Sequence, residues 1–151
     1  MPQSPYENTP RLLMPRLAYE NPEAAIQFLC DAFGFTETGR FAPAGSIVHA
    51  EVALNGETVF AIGAVSEHVQ SPNALGGNTS QLFCYVDDVD VHCERARSCG
   101  ARITAEPRDQ FWGDRSYDAL DIEGHLWTFR RTVRNVPLDE LLARSREDGH
   151  R

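Results

Sequence analysis

His49 and Glu51 lie two residues apart in a run, residues 46–54, where Val48, Ala50 and Val52 alternate with them. Residues two apart on a strand share a face. The apolar set then packs beneath a neighbouring element, and the imidazole and carboxylate stand together on the other side. Such a pair can act as a base with its orienting group, or as hydrogen-bonding partners for a ligand. It also supplies two metal ligands, too few to close a site. A solvated outer face would carry the same two residues with no function at all. A second group is Trp112, Asp114, Arg115 and Tyr117. An aromatic ring beside a guanidinium can clamp a planar or anionic ligand by stacking and bidentate bonding. The plainer reading is an Asp114–Arg115 surface cluster that fixes a loop. His125 falls at a turn, while His68 and His92 read as surface residues. No G-x-S-x-G elbow and no C-x-x-C pair occurs. Cys84 and Cys93 fall on apolar faces and read as inert buried thiols.

These residues need elements to position them. Residues 12–19 read as a first strand, with Pro15 at an edge or bulge. Asn21-Pro22-Glu23 supplies an N-cap, a proline at the first helical position and an early acid. Ala25, Phe28, Leu29, Ala32 and Phe33 follow at helical spacing, and Gly34 ends the helix. Strands are expected at residues 35–41, 46–54 and 58–63, with Asn55-Gly56 as a hairpin turn between the last two. The second half repeats this grammar. A strand over residues 81–86 precedes a helix capped by Asp88, faced by Val89, Cys93 and Ala96 and stopped by Gly100. Strands are then expected near residues 102–105, 115–121 and 126–131, with a turn at Glu123-Gly124. Two copies of strand, helix and three strands make an internal repeat.

The expected organisation is a loose arm over residues 1–10, one two-module domain over 11–132 and a helical tail over 133–151. The halves run from about 11 to 65 and from 80 to 132, joined by a flexible linker at 66–79 that is rich in Ser, Pro, Asn and Gly. Gly76-Gly77 precedes a strand rather than a helix, so no phosphate-cradling loop is expected there. In the tail, Leu138, Leu141 and Leu142 form a narrow stripe, and Glu140 and Arg144 are spaced as an i, i+4 pair.

The chain has 151 residues, a length that buries roughly two thirds of its unfolded-state surface without disulfides. Its formal net charge of −8 argues against nucleic acid or an anionic membrane as partner. Apolar runs are too short to span a bilayer, and residues 1–5 have neither a basic nor an apolar region of an export signal. A cytoplasmic location is therefore expected, where Cys30, Cys84, Cys93 and Cys99 stay reduced.

The paired halves carry Ala32-Phe33-Gly34-Phe35, Tyr85-Val86-Asp87-Asp88-Val89-Asp90 and Asp121-Ile122-Glu123-Gly124-His125-Leu126-Trp127. With Trp112-Gly113-Asp114-Arg115-Ser116-Tyr117, they resemble the vicinal oxygen chelate superfamily of glyoxalases, bleomycin-resistance proteins and extradiol dioxygenases. The resemblance implies an α+β fold of two tandem βαβββ modules forming a cupped mixed sheet with helices outside. It also implies one ligand cavity between the halves, completed across a homodimer. The metal-ligand positions it implies fall on Met14, Phe60 (or Ala61 if the register slips), Gln81 and Thr128. A divalent ion of the glyoxalase kind wants imidazole and carboxylate, so neither a metal nor another cofactor is expected.

If Met14 faces the cup, alternation brings Arg16 and Ala18 with it and turns Leu17 and Tyr19 to the helix layer. Gln81, Phe83 and Tyr85 face inward by the same rule, while Trp127, alternating with Thr128, belongs to the core. An inward Arg16 needs a carboxylate, such as Glu51, or a ligand. The expected ligand-binding set is thus Met14, Arg16, His49, Glu51, Phe60, Gln81, Phe83, Trp112, Arg115, Tyr117 and Thr128. The resulting expectation is a metal-free protein that holds a small organic molecule, as in drug or metabolite sequestration. The alternative is a lyase, isomerase or dioxygenase-type enzyme using His49 and Glu51 as acid–base groups or displaced metal ligands.

Overall fold

The computed structural model describes residues 12–147. The expected N-terminal arm and the last residues of the tail lie outside that range. The first module runs β1 (Arg16–Tyr19), α1 (Pro22–Phe33), β2 (Thr36–Phe41), β3 (His49–Leu54) and β4 (Glu57–Ala64). After a short α2 (Pro72–Leu75) the second runs β5 (Gln81–Tyr85), α3 (Val89–Ser98), β6 (Arg102–Asp109), β7 (Asp114–Leu120) and β8 (Leu126–Thr132). The chain then enters α4 (Leu138–Glu147). Each module forms a four-stranded mixed sheet, ordered β1-β4-β3-β2 and β5-β8-β7-β6. The first strand of each lies parallel to the last. The repeat read in the sequence is the repeat of the fold.

Local signals set the helices. The Asn21 side chain accepts from Ala24 N at 3.1 Å with Pro22 at the first position, and Asp88 accepts from Val91 N at 3.0 Å. Gly34 and Gly100 follow the helix ends with positive φ. β1 is shorter than expected. It exists only where β4 pairs with it, from Arg16 opposite Ala61 to Tyr19 opposite Ala64, and Leu12 and Leu13 are fully exposed. Apolar character alone does not make a strand when no partner lies alongside. β6 is longer, reaching Asp109 through Pro107, which an edge strand tolerates.

The linker is not a flexible connector. Ser71 is buried and caps α2, Asn73 N donates to Glu123 O, and Asn78 bonds both Gly124 O and Leu126 N.

The helix-facing sides of both sheets meet in one core. Phe33 of α1 packs against Trp127 and Phe129 of β8, and Phe60 of β4 lies 5.4 Å from the Trp127 ring. Fully burying one such ring is worth ~1.5–3 kcal/mol, so this aromatic cluster joins the halves. Trp127 is in the core, as its alternation with Thr128 predicts. Two histidines depart from expectation. His92 is part-buried between the halves, with Nδ1 2.6 Å from the Tyr117 hydroxyl and Nε2 3.0 Å from Phe33 O. His125 is buried, with Nε2 2.9 Å from Ala18 O and its ring against Tyr19. Both were expected at the periphery because their partners lie 25 to 107 residues away.

Candidate functional site

The second sheet positions the densest polar and aromatic group on its face away from the core. Register places Gln81 and Phe83 of β5 beside Leu126 and Thr128 of β8, and Thr128 opposite Asp118 of β7. Gln81 Nε2 donates to Thr128 Oγ1 at 2.6 Å, and that hydroxyl donates to Asp118 Oδ1 at 2.6 Å. A three-residue relay therefore forms the floor. Two residues along β8, Arg130 spreads over two exposed rings. Its guanidinium carbon lies 4.8 Å from the Phe83 centroid and 5.0 Å from the Tyr85 centroid. Its Nη2 donates to the Tyr85 hydroxyl at 2.8 Å.

Buried Asp114 holds the rim. It accepts from Thr132 Oγ1 at 2.9 Å and Trp112 Nε1 at 3.3 Å, and lies 3.2 Å from Arg130 Nε. That Nε is buried without a hydrogen bond among the described residues. The relay, Phe83, Arg130 and Trp112, with Arg108, Gln110 and Ser116, bound a cavity of about 290 Å³. Phe83 and Tyr85 remain 59% and 58% exposed, so the aromatic wall is open to a partner.

Several expected site residues lie elsewhere. Phe60 is buried against Phe35 and Trp127; Ala61, one residue on, shares the row of Arg16 and Glu51. β7 begins at Asp114, so Asp114, Ser116 and Asp118 share the outer side of the sheet while the Arg115 and Tyr117 side chains turn to the helix; Tyr117 still lines the cavity. Arg115 bonds Asp90 of α3 at 2.7 and 2.8 Å and Asp109 at 3.1 Å. These bonds raise its pKa and hold the Asp90 carboxyl below its ordinary value. The Tyr117 phenol is buried under α3 beside His92, and burial pushes its pKa far upward. Met14 precedes β1 and is half-buried.

Arg16, His49 and Glu51 belong to the first sheet and do not line the second-sheet cavity. That cavity is lined by the second half alone; a separate cavity of about 740 Å³ lies between the halves, where Arg16 and Phe60 meet Gln81 and Phe83. His49 Nε2 lies 3.4 Å from Glu51 Oε1, which brings the expected pair together. Arg16 does not reach Glu51. It bonds Ala64 O at 2.9 Å, its guanidinium lying over Gly63 where any Cβ would collide with it.

The sequence reading missed Arg130, Asp118, Ser116, Gln110 and Arg108 as lining residues. Continuing the alternation two places past Thr128 would have found Arg130.

Comparison with known proteins fits this architecture. Residues 11–129 match the family model Glyoxalase/Bleomycin resistance protein/Dioxygenase superfamily. The chain belongs to that superfamily. Uncharacterized proteins of Mycobacterium bovis and Mycobacterium tuberculosis are 34% identical over 147 residues, covering 94% of this chain and 97% and 86% of theirs. TioX from Micromonospora sp. ML1 superposes with a TM-score of 0.65 at 33% identity, covering 84% of this chain and 100% of that one. TnmS3, an antibiotic binding protein from Streptomyces sp. CB03234, superposes at 0.63 with 18% identity, over 82% of this chain and 97% of its own. At that identity the likeness shows the fold.

The superfamily's metal-ligand positions do not fit a glyoxalase-type ion here. Met14, Ala61, Gln81 and Thr128 offer a thioether, a methyl, a carboxamide and a hydroxyl, and the last two are engaged with each other. Among the described residues no three His, Cys, Asp or Glu side chains converge. No helix among them is long and apolar enough to cross a membrane. Cys84 is buried, and its thiol is pushed up to about 11 by desolvation, which suppresses the reactive thiolate.

Proposed function

We propose that this protein binds a small organic molecule carrying a planar ring on the outer face of its second sheet, sequestering it rather than transforming it. The observation that carries this reading is the Arg130 guanidinium spread over the exposed Phe83 and Tyr85 rings above the Gln81–Thr128–Asp118 relay. Stacked aromatic pairs contribute about 0.5–1.5 kcal/mol beyond area burial, and a ring seated here would gain both. The relay offers a carboxamide, a hydroxyl and a carboxylate to fix its orientation. The antibiotic-binding TnmS3 supports the reading only through its shared fold. A second copy of the chain completes the open side of the site in this proposal.

Trp112 is 41% exposed whereas Trp127 is 2% exposed, so quenching of the first reports the site. Titration with a panel of aromatic antibiotics and planar metabolites should quench wild type saturably, and Trp112→Phe should lose that response. The same mixtures, followed by chromatography, should return the ligand unchanged. No quenching across the panel would sink the proposal. The enzymatic alternative keeps one supporting observation, the His49–Glu51 contact at 3.4 Å. Conversion of a panel member that disappears in His49→Ala would favour it over sequestration.

A further inference from the structure

A second cavity of about 960 Å³ adjoins the first, sharing Arg108, Gln110 and Trp112 with it. Its wall carries three guanidinium-bearing residues drawn from separate elements: Arg108 on β6, Arg134 just after β8, and Arg144 on α4. Gly113 lets them gather. At φ +103 its backbone lies so close to Arg134 that a Cβ would collide with the Arg134 carbonyl, and the Gly113 carbonyl accepts from both Val133 N and Arg134 N.

The anionic neighbours do not balance the cations. Glu140 serves two arginines at once, 3.2 Å from Arg134 and 3.0 Å from Arg144. Asp109 also lines the cavity, but it pairs with Arg115 at 3.1 Å. Arg108 forms no ion pair among the described residues. A local excess of positive charge thus persists in a chain of net charge −8, directly beside an aromatic seat. Guanidinium forks match carboxylate, sulfonate and phosphate oxygens in bidentate geometry.

We infer, resting on the proposed function above, that the ligand is an aromatic acid. Its ring lies on the Phe83–Arg130–Trp112 face, and its anionic group is received in the adjoining cavity by Arg108 with Arg134 and Arg144. Selection for a planar anion also gives α4 a task, since Arg144 reaches the cavity although no residue of that helix is buried. A neutral planar molecule would use the aromatic seat alone.

Two fluorescent probes of like shape separate the two parts. Anilinonaphthalene sulfonate carries the anion, and N-phenylnaphthylamine lacks it. Full-length wild type should bind the sulfonate about tenfold tighter than the neutral probe, with an affinity that falls as salt rises. Arg108→Gln, an exposed position, should erase most of that advantage; Arg144→Gln, exposed and lining the larger cavity alone, should reduce it while changing neutral-probe affinity by less than about twofold, with native circular dichroism unchanged in both. Arg134→Gln should act in the same direction. Neutral-probe binding with no sulfonate preference, or a preference untouched by Arg108→Gln, overturns the inference and leaves the aromatic seat standing. Failure of both probes to bind overturns the seat itself, and the inference with it.

Discussion

Asp121 accepts from four donors: the Tyr19 hydroxyl at 2.6 Å, Trp127 Nε1 at 3.1 Å and the backbone N–H groups of Glu123 and His125, both at 3.0 Å. Tyr19 belongs to β1 and the other three to the second module, so one buried carboxylate ties the halves together. In Asp121→Asn, either amide orientation turns its N–H groups toward donors that already point at it. Leaving such buried groups unpaired costs about 1–3 kcal/mol each, and we expect a total loss of about 2–4 kcal/mol. Thermal unfolding by circular dichroism should then fall by about 5–15 °C. A drop under about 2 °C would show that the carboxylate is not the joint between the modules.

Nothing in the sequence near Asp121 announces this role, because its decisive partner is 102 residues away. Alternation, in contrast, was legible, and it assigns Thr128, Gln81 and Phe83 correctly to one face. Nearness in sequence, not alternation, groups Arg115 and Tyr117 with Trp112, and the start of β7 turns both side chains toward the helix. One place of phase exchanges Arg115 and Tyr117 for Asp114, Ser116 and Asp118.

Helices α1 and α3 meet where the modules join; His92 of α3 is one polar contact between them, beside Arg95, which donates to the Asp31 and Cys30 carbonyls. Phe33 O can only accept, so Nε2 carries the proton and Nδ1 accepts from the Tyr117 hydroxyl. Burial lowers the pKa of His92 from the ordinary 6.5, keeping it neutral in the folded chain. The unfolded chain therefore takes up this proton at a higher pH than the folded one. The stabilising contribution is complete above pH 6.5 and is lost as pH falls from there toward the folded-state value. His92→Leu should cost about 1–3 kcal/mol near neutral pH by leaving Phe33 O and Tyr117 OH unpaired. In urea unfolding, the gap between wild type and variant should narrow between about pH 7.5 and about pH 5. Parallel pH profiles would contradict it. The helices themselves were legible, since caps and spacing are local signals. Their mutual docking was not, and neither was the length of β1, which its pairing with β4 sets.

Across the whole molecule, both modules spend their helix-facing sides on the shared core, which leaves two outward faces of different chemistry. The second bears Phe83, Tyr85 and Arg130, with Trp112 and Arg108 at its rim; the first bears His49 and the Glu51 carboxylate. Large exposed rings on a sheet face favour cover, at roughly 25 cal/mol per Å² of apolar surface removed from water. A second copy related by a twofold axis can lay its first-sheet face over this second-sheet face, and the same operation covers the other copy. The repeat makes two cups legible in the sequence, and the resemblance implies that the halves enclose one cavity between them. The common core turns their other faces outward, and the proposed function takes closure of the second-sheet site from a second copy. Light scattering behind size exclusion should give a particle of twice the 16.9 kDa chain mass. Phe83→Glu, at a side chain 59% exposed in the single chain, should shift it to monomer with little change in thermal stability. A wild-type chain that stays monomeric at the concentrations used for ligand titration would mean that each second-sheet face binds its ligand open to water.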